Sequence, residues 1–259
     1  AGWITEAFPM SLQTEYDAWH TRYHELNTEY DDTSTPWYMW VAQRMIDVRG
    51  LRTLEVACGR GGFVRALARK GAEAVGLDFS RAALKIGRER SLNFEEESRA
   101  AFVQGDAHSR PFPDGYFDLV VSCETIEHLP QPEKGVSEFH RVTKPGGILF
   151  LTTPNYFNLM GLYEFYSKFR HPKRGPDQPY DRIQFFFQTR RLLKQAGWQI
   201  QKSDGVVHQL PLFPGRNPVR IRSIDESEIL RRLLRVFALT YCLIAKKRGL
   251  RQPRMNAQN

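Results

Sequence analysis

The stretch that decides the fold is LEVACGRGGF at residues 54–63, an apolar run that enters a turn containing three glycines. The run is typical of a buried strand, and the glycines let the backbone approach a ligand closely where the next helix begins. Asp78, which lies 19 residues beyond Gly59, follows the next predicted strand. An acid at this spacing can bind two ribose hydroxyls, so the stretch predicts a ligand that contains a nucleoside.

Strands alternate with helices on both sides of this stretch. The predicted strands lie at 52–57, 73–77, 100–104, 117–122 and 147–152, and the predicted helices at 61–70, 80–92, 132–143 and 188–196. Short strands that alternate with helices of about ten residues predict an α/β fold with a doubly wound, mostly parallel sheet. Segments 198–203 and 236–245 add two strands as an antiparallel edge pair, which makes seven.

Composition excludes several classes of protein. The 259 residues contain three cysteines without a CxxC pair, which excludes a disulfide scaffold and a cysteine-rich zinc module. No apolar run reaches the roughly 18 residues of a membrane-spanning helix, and the N-terminus lacks a signal-peptide pattern. We therefore expect a soluble, cytoplasmic protein.

Charge is distributed unevenly along the chain. Residues 165–259 hold 20 Lys and Arg against 6 Asp and Glu. This surplus indicates either a solvated basic face or contact with an anionic substrate, RNA or a membrane surface. The segment EILRRLLRV at 228–236 has the pattern of a basic amphipathic helix, which is typical of peripheral membrane contact.

Five motifs follow one another along the predicted strands and turns. They are LEVACGRGG at 54–62, GLDFS at 76–80, GDA at 105–107, PFPDGYFD at 111–118 and KPGG at 144–147. The first motif does not complete the dinucleotide fingerprint GxGxxG, because Val64 occupies the third glycine position. In this order, the five motifs resemble those of the class I S-adenosylmethionine-dependent methyltransferases. The resemblance covers roughly residues 50–200 and implies a Rossmann-like core that binds S-adenosylmethionine.

Carried over position by position, the resemblance implies a set of cofactor-binding residues. Gly59 and Gly61 would form the loop beneath the methionine moiety, with Ala57 where a glycine is commoner and Glu55 supporting the loop or the amino group. Asp78 would bind the ribose hydroxyls, and Asp106 with Ala107 the adenine edge. Phe79 and Cys123 complete the predicted set.

An acidic turn after the fourth strand carries the candidate catalytic residues. In SCETIEHL at 122–129, a helical turn would place Glu124, Glu127 and His128 on one face. His128 is then a candidate general base for an acceptor hydroxyl, with a structural or orienting role as the alternative. Two carboxylates and an imidazole are also suitable ligands for Mg²⁺ or another divalent metal.

The ExxEH pattern resembles two metal-using branches of the family, the ubiquinone-pathway O-methyltransferases and the small-RNA 3′-end 2′-O-methyltransferases. TTPN at 152–155 echoes the RNA branch. That branch supplies another histidine before a downstream helix, whereas DRIQF at 181–185 has none. This departure argues against nucleic acid as the acceptor.

These observations predict both the organisation and the activity. We expect transfer of a methyl group to a small-molecule acceptor, at a hydroxyl oxygen of a sugar, polyketide, quinone-like compound or other secondary metabolite. An RNA 2′-O-methyltransferase and a non-catalytic S-adenosylmethionine-binding protein are the alternatives, and N- and C-methylation stay open.

The predicted parts are an N-terminal helical and aromatic lid at 1–45, the cofactor-binding core at 46–154, an inserted substrate cap at 155–187, the C-terminal part of the core at 188–248 and a basic tail at 249–259.

Overall fold

The computed structural model describes residues 10–26, 32–92, 99–109, 111–163, 179–211 and 218–249. One sheet contains the strands β1 (Arg52–Val56), β2 (Glu73–Asp78), β3 (Ala100–Gln104), β4 (Phe117–Cys123), β5 (Thr143–Pro154), β6 (Trp198–Val206) and β9 (Thr240–Lys247). A separate pair consists of β7 (Gln209–Leu210) and β8 (Val219–Arg220). The helices are α1 (Met10–Leu26), α2 (Pro36–Arg44), α3 (Gly62–Arg69), α4 (Arg81–Ser91), α5 (Pro132–Val142), α6 (Phe186–Gln195), α7 (Arg222–Glu226) and α8 (Glu228–Leu234).

The sheet has the strand order β3-β2-β1-β4-β5-β9-β6. Strands β1 to β5 pair in parallel, which confirms the predicted doubly wound α/β fold. Because β2 lies on one side of β1 and β4 on the other, the winding reverses beside β1. Open α/β sheets bind ligands at such a point, beyond the carboxyl ends of the strands.

The last two strands form the antiparallel pair at the edge of the sheet that the sequence predicts. Within this pair, β9 lies between β5 and β6, so β6 is the edge strand. Strand β9 pairs with β5 from Ile148↔Lys246 to Pro154↔Thr240, so the chain inserts its final strand into the sheet. Alternation of apolar residues predicts that a segment is a strand, but it does not identify the neighbouring strands.

Helices cover both faces of the sheet because alternate residues of the central strands point to opposite sides. On one face, Val121 of β4 belongs to a buried cluster with Val64 of α3. On the other face, the adjacent Val120 belongs to a cluster with Phe139 of α5 and Leu193 of α6. Burial of such side chains stabilises the fold by about 1.5–3 kcal/mol each.

The N-terminal helices pack on the core in different ways. Trp40 of α2 is buried, and its indole Nε1 donates a hydrogen bond to Asp204 at 3.0 Å. Helix α1 is joined to α4 by Asp17, whose Oδ1 accepts hydrogen bonds from Ser80 Oγ at 2.6 Å and from Ala82 N at 3.1 Å. Helix α1 is thereby held against the N-terminus of α4.

Parts of the predicted organisation lie outside the described residues, namely 1–9, 27–31, most of the basic tail and residues 164–178 of the insertion. The domain boundaries stay a prediction. Within the described ranges, no helix combines the length and the apolar character needed to cross a bilayer.

Candidate functional site

A cavity of about 160 Å³ lies where the winding of the sheet reverses; we call it the switch-point cavity. The loops after β1, β2, β3 and β4 form its floor, and helix α1 covers it. It is lined by Leu12, Tyr16, Trp19, His20, Ala57, Gly59, Leu77, Asp78, Phe79, Gly105, Asp106, Ala107, Glu124, Thr125, His128 and Leu129.

The loop after β1 depends on left-handed backbone conformations. Ala57, Gly59 and Gly61 have φ angles of 53°, 51° and 68°. An L-residue such as Ala57 pays roughly 1–2 kcal/mol for this conformation, which explains why a glycine is the commoner choice at this position. The turn leads directly into α3, and the N-terminus of a helix favours a nearby negative charge.

Asp78 joins this loop to the end of β2. Its Oδ2 accepts a hydrogen bond from Gly59 N at 2.8 Å, and its Oδ1 accepts one from Ser80 N at 2.9 Å. Burial raises the pKa of the Asp78 carboxyl to about 6, although these N–H donors favour the ionised form. Each carboxylate oxygen can accept a further hydrogen bond, so Asp78 is suited to two adjacent hydroxyls.

Two predicted residues line the cavity beyond β3. Asp106 Oδ1 accepts a hydrogen bond from His108 N at 2.8 Å, and Ala107 follows it. Phe79 lines the same region and packs edge-on against Tyr16 of α1, with ring centroids 4.9 Å apart. The combination of acids and an aromatic wall is suited to a nucleoside.

Three predicted cofactor residues do not line the cavity. Glu55 is fully buried, and its Oε1 accepts a hydrogen bond from Tyr38 OH at 2.5 Å. Gly61 packs against the ring of Phe102, where a Cβ would collide. Cys123 is buried at the end of β4, and burial raises the pKa of its thiol. Inward-facing strand positions and helix packing account for these placements, which a motif match does not resolve.

The acidic turn after β4 is not the predicted helical turn. Glu124 has a left-handed φ of 48°, and only Ile126–His128 form a single 3₁₀ turn. The three candidate side chains therefore do not share one helix face. Glu124 and His128 line the switch-point cavity, whereas Glu127 is buried beneath it.

The two glutamates are held by consecutive threonines of β5. Glu124 Oε1 accepts a hydrogen bond from Thr152 Oγ1 at 2.9 Å, and Glu127 Oε2 accepts one from Thr153 Oγ1 at 3.1 Å. Burial raises the pKa of Glu124 to about 8 and raises the pKa of Glu127 as well. Both acids therefore hold their protons more tightly than exposed glutamates, and the TT of TTPN has a structural role in this chain.

His128 is oriented by the backbone of the insertion. Its Nδ1 lies 2.6 Å from the carbonyl oxygen of Tyr180, so Nδ1 carries the proton and donates it. Burial lowers the pKa of His128, which favours the neutral imidazole. The lone pair is then on Nε2, which lies 3.6 Å from Glu127 Oε1. A general base needs a free lone pair, so in this tautomer Nε2 is the nitrogen that can accept a proton.

The predicted metal site does not fit this geometry. In the described part of the chain, no group of three or more His, Cys, Asp or Glu side chains is arranged to hold a metal ion. Glu124, Glu127 and His128 point to three different partners: Thr152, Thr153 and the Tyr180 carbonyl. Because the turn is not helical, the three side chains are held by different partners instead of sharing one face.

Helix α1, which lies within the lid predicted at 1–45, brings Leu12, Tyr16, Trp19 and His20 onto the switch-point cavity. Tyr16 OH donates a hydrogen bond to the Tyr180 carbonyl at 3.2 Å, next to His128. Helical spacing was the available signal, but it did not identify which cavity the helix covers.

A second, larger cavity of about 910 Å³ has walls that are mostly apolar; we call it the apolar cavity. Its walls come from the described parts of the insertion and from the segment between β6 and β9. It is lined by Tyr156, Phe157, Asn158, Leu159, Gly161, Leu162, Ile183, Phe185, His208, Gln209, Leu210, Ile221, Ile224, Leu234 and Phe237.

The two cavities share a border formed by residues 180–185. On one side, Tyr180 orients His128, and Arg182 N donates a hydrogen bond to the Glu127 carbonyl at 3.0 Å. On the other side, Ile183 and Phe185 line the apolar cavity. This one short segment therefore separates the apolar cavity from the residues at the end of β4.

Asn155, the last residue of TTPN, holds the insertion in place. Its Nδ2 donates hydrogen bonds to the carbonyls of Val236 at 2.8 Å and Ala238 at 3.1 Å. Its Oδ1 accepts hydrogen bonds from Phe157 N and Phe186 N, both at 3.2 Å. One buried amide thus connects three segments around the apolar cavity.

Comparison with known proteins agrees with this geometry. Residues 54–151 match the methyltransferase domain family. The demethylmenaquinone methyltransferase of Geobacillus kaustophilus is 32% identical over 63% of this chain and 75% of its own length. The ubiquinone biosynthesis O-methyltransferase of Alkalilimnicola ehrlichii is 38% identical over 45% of this chain and 47% of its own length.

A solved structure shows the same fold over nearly the whole chain. It is a methyltransferase in a complex with the Trm112 methyltransferase activator of Haloferax volcanii, with 20% identity and a TM-score of 0.66. The match covers 93% of this chain and 99% of that chain.

Proposed function

Since the chain belongs to the class I S-adenosylmethionine-dependent methyltransferases, we propose that it methylates a ring hydroxyl of a quinone-type acceptor that carries an apolar chain. The observation that carries this proposal is the border at residues 180–185, which contacts the candidate base His128 through Tyr180 and lines the apolar cavity through Ile183 and Phe185. Relatives named for menaquinone and ubiquinone biosynthesis support the same class of acceptor.

The residues of the switch-point cavity fit S-adenosylmethionine. The Asp78 carboxylate would accept hydrogen bonds from the ribose hydroxyls, Asp106 and Ala107 would meet the adenine edge, and the Ala57–Gly59 turn would face the methionine end. When bound, this cofactor supplies a methyl group made electrophilic by the sulfonium. The chain contributes alignment of the acceptor and exclusion of water by α1.

His128 would accept the proton of the acceptor hydroxyl at Nε2, which makes the oxygen a stronger nucleophile. The Tyr180 carbonyl keeps the proton of the neutral ring on Nδ1. Burial raises the pKa of Glu127, which favours the protonated form of the carboxyl group beside this base. The imidazolium formed after proton transfer is stabilised by the same carbonyl.

Transfer to a ring carbon is the second candidate, because demethylmenaquinone methyltransferases are among the relatives. Mass spectrometry after chemical cleavage of methyl ethers distinguishes the two products. An O-methyl group is lost in this treatment, whereas a C-methyl group stays on the ring.

The test uses methyl-labelled S-adenosylmethionine and two hydroquinones, one with an isoprenoid chain and one without. Leu162 lines the apolar cavity and is 65% exposed, so Leu162→Asp should fold. The variant should raise the KM for the chain-bearing hydroquinone about 10-fold or more, since a buried leucine-sized contact is worth about 1.5–3 kcal/mol. The KM for the chainless hydroquinone should not change.

Leu92→Asp is the matched control, because Leu92 is 85% exposed and lines neither cavity. It should leave both KM values unchanged. An absence of label in both hydroquinones would contradict the proposed acceptor class. An equal effect of Leu162→Asp on both hydroquinones would contradict the role of the apolar cavity.

A further inference from the structure

His20 of α1 lines the switch-point cavity and has a buried ring nitrogen without a partner in the described part of the chain. The side chain is 8% exposed and lines this cavity. Its Nδ1 has no hydrogen-bond partner among the residues that the structure describes. Buried polar atoms of this kind are rare, because each costs the free energy of its lost hydration. In a cavity that fits a polar ligand, such an atom points to a contact with that ligand.

The position of the ring specifies which part of the ligand it meets. A Cβ built on Gly59 would lie 3.5 Å from His20 Cε1, so the edge that carries both ring nitrogens faces the turn after β1. Asp106 and Asp78 follow β3 and β2, on the nucleoside side of the cavity. The turn after β1 is therefore one step along the sheet from the ribose site, toward the acceptor side at β4.

The surroundings of His20 hold it in this position. Its ring packs edge-on against Trp19, with centroids 4.8 Å apart. One turn earlier, Asp17 joins α1 to the start of α4 through Ser80 Oγ and Ala82 N. Burial and the nearby Arg60 lower the pKa of His20 to about 4, so the imidazole is neutral at physiological pH.

We propose that His20 is a cofactor-binding residue that recognises the amino-acid group at the methionine end of S-adenosylmethionine. The neutral ring donates a hydrogen bond to the carboxylate or accepts one from the ammonium through Nδ1. Helix α1 thereby contributes to the binding of the cofactor as well as covering its cavity. The inference depends on the cofactor of the family and is independent of the identity of the acceptor.

The test compares two ligands that differ in this group. S-adenosylhomocysteine carries the amino-acid group, and 5′-methylthioadenosine has the same nucleoside and a thioether without it. Calorimetric titration of His20→Phe should give an S-adenosylhomocysteine affinity reduced about 10-fold or more, with the 5′-methylthioadenosine affinity unchanged. His20→Asn, whose amide places a polar atom near the position of Nδ1, should recover part of the loss.

Two results would overturn the proposal. One is an equal loss of affinity for both ligands in His20→Phe, which would indicate that the ring only shapes the cavity. The other is an unchanged affinity for S-adenosylhomocysteine in both His20 variants. His140→Phe is the control, because His140 is half-buried against Trp198 outside the cavity and should alter neither affinity. If His20→Phe does not fold, His20→Asn is compared with the wild type instead. Its amide fits the site imperfectly, so this variant should weaken the binding of S-adenosylhomocysteine and leave the binding of 5′-methylthioadenosine unchanged.

Discussion

The switch-point cavity and the apolar cavity are neighbours, but they are built in different ways. The switch-point cavity is formed by loops that directly follow four strands and by helix α1, and acids and two histidines are among its lining residues. The apolar cavity is formed by three segments distant in sequence and is mostly apolar. Under the proposed function, the first cavity would bind the charged nucleoside cofactor and the second the apolar chain of the acceptor.

The largest expected effect lies at the border between the two cavities. His128→Ala should lower kcat by about 10²–10⁴-fold, because the acceptor hydroxyl loses its base. The affinity for S-adenosylhomocysteine should stay within a few-fold of the wild type. Steady-state kinetics with the labelled cofactor and calorimetry measure the two quantities, and His140→Ala serves as a distant control. A wild-type kcat in His128→Ala would assign this residue a structural role.

A smaller effect is expected within the switch-point cavity. Asp78→Ala should weaken cofactor binding by about 1–3 kcal/mol, since the ribose hydroxyls would lose their acceptor. This corresponds to roughly 5- to 150-fold in Kd. The loss should be equal for S-adenosylhomocysteine and 5′-methylthioadenosine, in contrast to His20→Phe. An unchanged affinity would refute the ribose assignment.

The smallest effect concerns stability and its dependence on pH. The pKa of Glu124 rises from the ordinary 4.5 to about 8 on folding, so the folded state favours the protonated acid. Its contribution to stability is complete below pH 4.5 and is lost as the pH rises through about 8. Glu124→Gln removes this dependence because the amide does not ionise.

Thermal unfolding of wild type and Glu124→Gln without cofactor checks this expectation. The two proteins should have similar Tm values near pH 4.5, and the variant should have the higher Tm at pH 8.5. Leu162→Asp, in the apolar cavity, is the control. Its Tm relative to the wild type should not rise between pH 4.5 and pH 8.5. A Tm difference for Glu124→Gln that is independent of pH would indicate that burial does not raise the pKa of this acid.

Local sequence patterns were sufficient to predict that most of the candidate cofactor residues lie together in the fold, while their binding of the cofactor stays a prediction. Residues that follow a parallel strand lie at the same edge of the sheet, so the positions of Gly59, Asp78 and Asp106 followed from strand order along the chain. The prediction was less accurate for Glu55 and Cys123, because the period of a strand determines which side chains alternate but not how deeply the strand end is buried. The turn at Glu124 also departed from prediction, since its left-handed backbone has no glycine to signal it.

The sequence by itself determined the α/β class, the double winding of the sheet and the residue types in the loops after its strands, because these depend on residues close together in the chain. Only the tertiary structure placed β9 between β5 and β6, brought His20 onto the switch-point cavity and assembled the apolar cavity. Each of these features depends on contacts between residues far apart in sequence. Such contacts are selected by the packing of the whole chain, which no local pattern encodes.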